Sequence, residues 1–263
     1  MKSFGLFLNV ITTNRAEIEK RISFLGNMEN LGHVEVWLEH TYWSEDDSRW
    51  LKEKLKKYEV LVHAPFINLS FVTAHEQINI ASLNELKRTC DHTRILGGKV
   101  MTLHAGRRPF YISDVKARKI AVPYLQNLLD YVGGEFELAI ENLPASSGTS
   151  FGYPVTLDEF EKMAMEVPRL NVTVDIGHCL QNNDAYEPFF EKYPTKISDI
   201  HVHNGFKKGT AHFGFGQPGD LNLREFVLYL EKVGYANYFT FEILGDGDIE
   251  DSWRRLQEII KEQ

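Results

Sequence analysis

Along this chain, short apolar runs of period two alternate with longer stretches whose apolar residues recur every three or four positions. The first kind reads as strands and the second as amphipathic helices. Phe4–Asn9 is a strand. Asn14 caps a helix through about Phe24, with Ile18, Ile22 and Leu25 on one stripe. His33–Leu38 is a second strand, and Ser44 caps the charged helix Glu45–Lys57, which buries Trp50, Leu51 and Leu55. Val60–Ala64 is a third strand, stopped by Pro65. A long connection, Phe66 to about Asn79, precedes the helix Ala81–Leu96, which Gly97-Gly98 ends. Val100–His104 is the fourth strand. Ser113 opens a helix that Gly133-Gly134 closes. Glu137–Glu141 is the fifth strand, and Thr156 with Glu159 makes a capping box for a helix ending before Pro168. Leu170–Asp175, Ile197–His203 and Tyr238–Ile243 are the last three strands. Their partner helices are Asn183–Tyr193, Leu221–Val233 and Ile249–Lys261.

Strand and helix alternate about eight times with no Pro/Ser-rich linker, which predicts a parallel sheet. Eight pairs in 263 residues predict a single-domain (β/α)8 TIM barrel spanning 1–263. A doubly wound open sheet would want a glycine-rich turn after the first strand, and Asn9–Asn14 holds no glycine. Composition changes this picture little. Hydrophobic content of 43% and charged content of 25% are ordinary for a soluble globular chain. A net charge of −8 argues against a general polyanion-binding protein, while leaving room for a local basic patch. Cys90 and Cys179 have no paired spacing, which points to a reducing compartment. The apolar run in Met1–Val10 is too short for a secretory signal, and no window approaches ~20 apolar residues. The expected location is the cytoplasm, with no membrane partner.

Chemistry in such a barrel sits where strands end and the following loops begin. Val172-Thr173-Val174-Asp175-Ile176-Gly177-His178 sets the pattern. Its apolar pair faces a covering helix, Asp175 faces the barrel axis, and Gly177 is expected to turn the chain toward a loop His178. The same inward parity places His63, His104, Glu141, His201, His203 and Glu242 at other strand ends. Carboxylates there carry a large desolvation cost unless neutralised. Several of them with imidazoles around one mouth predict a divalent metal site. Glu35 shares the parity but lies mid-strand and reads as a pairing group. His40, His75 and His92 read as surface residues.

The order of these short motifs resembles the xylose-isomerase-like TIM-barrel superfamily, which holds sugar isomerases and epimerases beside nucleases of the endonuclease IV type. The motifs are His63-Ala64-Pro65, His104-Ala105-Gly106, Ile140-Glu141-Asn142, Asp175-Ile176-Gly177-His178, His201-Val202-His203-Asn204 and Glu242. The resemblance implies one divalent ion (Zn, Mn, Co or Mg) held by Glu141, Asp175, His201 and Glu242. It implies a second at His63 and His104, with Glu141 bridging. In the nuclease branch a third zinc is held by His178 with an Asp-x-His pair. That pair here reads Thr210-Ala211-His212, so His212 is kept and a poor zinc ligand, Thr210, replaces the carboxylate.

The expected function is therefore a metal-dependent isomerase or epimerase of a sugar or sugar phosphate, working by proton transfer at the carbon beside a carbonyl. Glu141 and Glu242 would exchange the proton, and His178 would hold a substrate oxygen. Asn142, His203 and Phe66 would contact substrate, and Arg107 and Lys207 would meet a phosphate. The alternative is an abasic-site endonuclease, in which Arg107 and Lys207 would rim a DNA groove. A barrel that binds without turnover is a third reading. The sequence leaves the oligomeric state open, a homo-oligomer included.

Overall fold

A computed structural model describes residues 1–39, 42–145 and 149–262. Eight parallel strands close into a barrel: β1 (Ser3–Val10), β2 (His33–Leu38), β3 (Glu59–His63), β4 (Val100–Leu103), β6 (Glu137–Glu141), β8 (Asn171–Asp175), β9 (Ile197–Val202) and β10 (Tyr238–Phe241). Two further strands, β5 (Arg107–Pro109) and β7 (Ser150–Gly152), pair antiparallel outside it. The helices between them are α1 (Arg15–Leu25), α2 (Glu45–Leu55), α3 (Glu76–Leu96), α4 (Asp114–Val132), α5 (Leu157–Glu166), α6 (Ile176–Asn182), α7 (Glu187–Lys192), α8 (Leu223–Lys232) and α9 (Asp246–Lys261). The barrel predicted from the strand–helix alternation is present. Among the described residues, no helix is long and apolar enough to cross a membrane.

The capping residues act as their positions imply. The Ser44 and Thr156 side chains accept from the backbone N–H of Asp47 and Glu159, closing both capping boxes. Gly97 and Gly133 end α3 and α4 at φ 75° and 65°. Other boundaries differ. α3 begins at Glu76, five residues before the expected Ala81, because Asn79 is drawn into its first turn by bonds to Thr73. Asn183 does not start a helix. It adopts φ 56° and closes α6, so the next helix begins only at Glu187. The β5–β7 pair, three residues a side, was not expected, since Arg107-Arg108-Pro109 carries no hydrophobic period.

Outward-facing strand residues such as Val36, Val62, Leu103, Ile140, Val174, Ile200, Val202 and Phe241 are buried against the helices in one continuous core. Inside the barrel the composition changes with depth. Leu61, Val100, Ala139 and Tyr238 form a small apolar plug at the N-terminal end. Above it lie Glu35, Thr102, Thr173, Asp199 and Thr240, all buried and polar. At the C-terminal end come the histidines and carboxylates. The interior thus runs from a greasy floor to an ionisable mouth.

Candidate metal centre and active site

Strand parity brings the side chains at the strand ends onto the barrel axis. Glu141, at the end of β6, is 1% exposed. Its Oε2 lies 3.1 Å from Nε2 of His63 and 2.9 Å from Nε2 of His104, in hydrogen-bonding geometry with each. Its Oε1 lies 3.5 Å from Nδ1 of His201 and 3.4 Å from Nδ1 of His178. Nδ1 of His201 is 3.0 Å from Oε2 of Glu242. Asp175 ends β8 and caps α6, its Oδ1 accepting from the His178 backbone N–H at 2.6 Å. Ligand atoms of Glu141, Asp175, His201 and Glu242 all lie within 4.8 Å of one another. The same holds for His63, His104 and Glu141, for His178, His203 and His212, and for Glu35, Asp199 and His201.

The first four-residue set has the chemistry of a cation site. Glu141 Oε1, Glu242 Oε2 and both His201 nitrogens are buried without a hydrogen-bond partner. Buried polar atoms left unpaired are costly, and a divalent ion at the common point of Glu141 Oε1, Glu242 Oε2 and His201 Nδ1 would give each of those three a partner. Three carboxylates and one imidazole suit a hard-to-borderline divalent ion. The residues present therefore fit such an ion.

The electrostatics agree. Burial opposes charge on every group here, yet His104 and His201 hold the Glu141 carboxyl well below its usual range. Burial likewise opposes the His201 charge, but Glu35 and Glu141 push its pKa well above the ordinary histidine value. Against the same burial, Asp175 and Glu141 raise His178 to about 9. Glu242 is drawn below its ordinary range by His212 and His201 against the cost of burial. The raised values of His178 and His201 offset the lowered ones of the carboxylates, and a bound cation would take over that balance.

A cavity of about 450 Å³ opens over this cluster. Glu141, His178, His212, Glu242, His104 and Phe66 line it, and Arg107 stands among its remaining lining residues. Phe66 stacks on Trp37, ring centroids 5.2 Å apart and 10° between planes, and packs 4.6 Å from the His104 ring. Glu39 was not singled out by its sequence. It accepts from the backbone N–H groups of Phe66 (2.9 Å) and Ile67 (3.1 Å), and so pins the loop that carries Phe66. Its only signal was a carboxylate directly after the second strand. Arg107 donates to Ser150 Oγ and O across the β5–β7 pair.

Other expected site residues lie elsewhere. Asn142 is buried off the cavity. Its side chain accepts from the Asp175 backbone N–H at 2.7 Å and donates to the Asp175 carbonyl at 2.9 Å, so it holds the strand end. His203 is also buried off the cavity. Its Nδ1 accepts from the His212 backbone N–H at 2.9 Å, which leaves its Nε2 as the donor to Asp175 Oδ2 at 3.1 Å. Lys207 is exposed and not among the cavity's lining residues. Thr210 is exposed. Three readings need correction. His178 is not on a loop but in the first turn of α6, which Asp175 caps. Gly177 serves contact rather than a turn: a Cβ there would fall 1.8 Å from the His203 ring. His92 is not a surface residue. It is buried, its Nδ1 3.0 Å from the Ser48 hydroxyl. His75 is exposed at the start of α3, and His40 lies outside the described residues.

Known proteins share this arrangement of elements. An uncharacterised protein of Methanocaldococcus jannaschii is 22% identical over 218 residues, covering 81% of this chain and 78% of that protein. A solved D-tagatose 3-epimerase-like protein superposes with a TM-score of 0.83 at 21% identity, over 98% of this chain and 97% of its own. An AP endonuclease of family 2 from Brucella melitensis superposes with a TM-score of 0.76 at 15% identity, over 98% and 99%. At these identities the solved structures show the shared fold. Residues 29–263 match the family described as xylose isomerase-like TIM barrel, and the chain belongs to that family.

Proposed function

We propose that this protein is a divalent-metal-dependent sugar isomerase or epimerase that moves a proton at the carbon beside a carbonyl. The observation that carries the reading is the placement of Glu141 and Glu242. They come from β6 and from the end of β10, three steps apart around the barrel, and both reach the floor of one cavity of about 450 Å³. A cavity of that volume suits a monosaccharide or its phosphate.

Glu141, Asp175, His201 and Glu242 would hold the ion. When bound, it would supply Lewis acidity to a carbonyl and its neighbouring hydroxyl. The remaining steps belong to the chain's own side chains. One of Glu141 and Glu242 takes the proton from one face of the α-carbon, and the other returns a proton to the opposite face. His178 and His212 line the cavity and hold substrate oxygens in place. Phe66 covers the apolar face of the ring and excludes water. Arg107 meets a phosphate where the substrate carries one.

The nuclease alternative has less support. Lys207 stands off the cavity, Thr210 is exposed, and both ring nitrogens of His203 are engaged. Incubating metal-loaded protein with free and phosphorylated ketoses in deuterated water tests the proposal. Uptake of solvent deuterium at one α-carbon is expected. Cleavage of abasic DNA without exchange on any ketose would overturn it.

A further inference from the structure

Beneath the candidate metal centre, the barrel holds a carboxylate that the proposed chemistry does not use. Glu35 sits midway along β2, fully buried. Its Oε2 lies 2.9 Å from Nε2 of His201. The contact is not aligned as a hydrogen bond, and neither atom has any other hydrogen-bond partner, nor has Glu35 Oε1. Asp199 is the competing neighbour, with Oδ2 3.6 Å from the same nitrogen. Asp199 is already satisfied, however. Its Oδ2 accepts from the Thr240 hydroxyl at 2.7 Å and its Oδ1 from the Ile200 backbone N–H at 2.8 Å. Thr240 in turn lies 2.8 Å from Nε2 of His33. Among the described residues, these bonds in the lower half of the barrel interior leave over the Glu35 carboxylate and the His201 Nε2 that faces it.

We infer that Glu35 is a positioning residue for the ion: it accepts the Nε2–H of His201, so that the opposite nitrogen, Nδ1, presents its lone pair to the centre formed with Glu141, Asp175 and Glu242. The inference rests on the metal reading above and adds to it a residue that touches neither ion nor substrate. Geometry supports it from both sides of the ring. Nδ1 faces Glu242 at 3.0 Å and Glu141 at 3.5 Å, while Nε2 faces only Glu35 and the occupied Asp199. A ligating imidazole holds one tautomer when its other nitrogen donates to a carboxylate, and such partners raise its basicity. A buried carboxylate with two unpaired oxygens is otherwise a pure cost to folding. The strand places it well: Glu35 pairs in register with Phe7 on β1 and Leu61 on β3, so its side chain rises from just above the apolar plug.

The test uses the full chain and Zn²⁺ as probe. Glu35→Gln keeps an acceptor oxygen without the charge, and Glu35→Leu removes both at similar volume. Competition with a chromophoric chelator should give Zn²⁺ affinity ~10–100-fold weaker for Glu35→Leu, and a smaller loss for Glu35→Gln. NMR on ¹⁵N-histidine-labelled, Zn²⁺-loaded protein should show the His201 ring proton on Nε2. That proton should be deshielded in the wild type, less so in Glu35→Gln, and exchange-broadened in Glu35→Leu. A role in packing alone would leave the ring proton's environment insensitive to the Gln change. Wild-type affinity in both variants, or a His201 ring proton unchanged in both, would overturn the inference and leave the metal centre standing. A loaded His201 carrying its proton on Nδ1 would overturn the placing of that nitrogen at the centre and this role with it. Wild-type protein that binds no Zn²⁺ would overturn the centre itself and this role with it.

Discussion

Glu141 belongs to two neighbouring clusters, and its two oxygens have opposite fates. Oε2 faces His63 and His104 and hydrogen-bonds with both. Oε1 faces His201 and His178 and is left without a hydrogen bond, as are His201 Nδ1 and Glu242 Oε2 beside it. The first side is complete from side chains alone, and the second lacks a partner at its centre. Both groups have metal-type residues within ligand distance of each other. What separates them is satisfaction of the buried polar atoms, which composition does not reveal. The difference argues for one strongly held ion, on the side of Asp175, His201 and Glu242.

The largest expected effect comes from the residues that span this comparison. Glu141→Gln and Glu242→Gln should each lower net turnover of a ketose by ~10² or more, since positioned acid–base groups contribute about 10²–10⁴, while solvent exchange can outlast turnover in the variant whose remaining Glu still takes the proton from its own face. Net turnover at the wild-type rate in Glu242→Gln would remove the two-carboxylate mechanism. The next effect separates the clusters directly. His201→Ala should weaken Zn²⁺ binding by more than the ~100-fold ceiling typical of outer ligands. His63→Ala should keep about one ion per chain. Equal losses in the two, read by elemental analysis after desalting, would erase the distinction.

A smaller effect concerns protons in metal-free protein. Asp175 and Glu141 hold His178 at about 9 against burial, above an unfolded value near 6.5. A raised folded pKa stabilises fully below about 6.5, and that stability is lost as pH rises through about 9. Melting temperatures of chelator-treated wild type and His178→Gln should therefore differ most near pH 6 and converge by pH ~9.5. A gap that widens with pH would contradict the assignment. The smallest effect is expected at Thr210→Asp. His203 is stacked on His212 with ring centroids 3.9 Å apart, and its Nδ1 is taken by the His212 backbone. The added carboxylate should leave zinc stoichiometry unchanged and stability within about 0.5 kcal/mol, as for other exposed sites. A gain of one zinc would show that a third site can be restored.

Legibility followed the range of the interactions. Period-two strands and capped helices are local, so the order of barrel elements and the Ser44 and Thr156 caps could be read directly. The antiparallel pair of Arg107–Pro109 with Ser150–Gly152 could not, because it joins segments some forty residues apart and carries no periodic pattern. His92 misled for a related reason. It lies on a helix with ordinary spacing, and only the packing of α2 on α3 brings Ser48 to its ring.

By itself the sequence determined that eight strands would close and that His63, His104, Glu141, Asp175, His201 and Glu242 would share the axis, because side-chain parity along a strand is a covalent consequence of backbone geometry. Only the tertiary structure decided how those groups divide among partners. Barrel closure and strand stagger set which oxygen of Glu141 meets which imidazole. They set Asn142 and His203 behind Asp175 instead of in the cavity, and they chose His201 as the partner of the inward-facing Glu35. Hydrogen bonding is short-ranged and directional, so a shift of about an ångström reassigns a partner while leaving the strand pattern untouched.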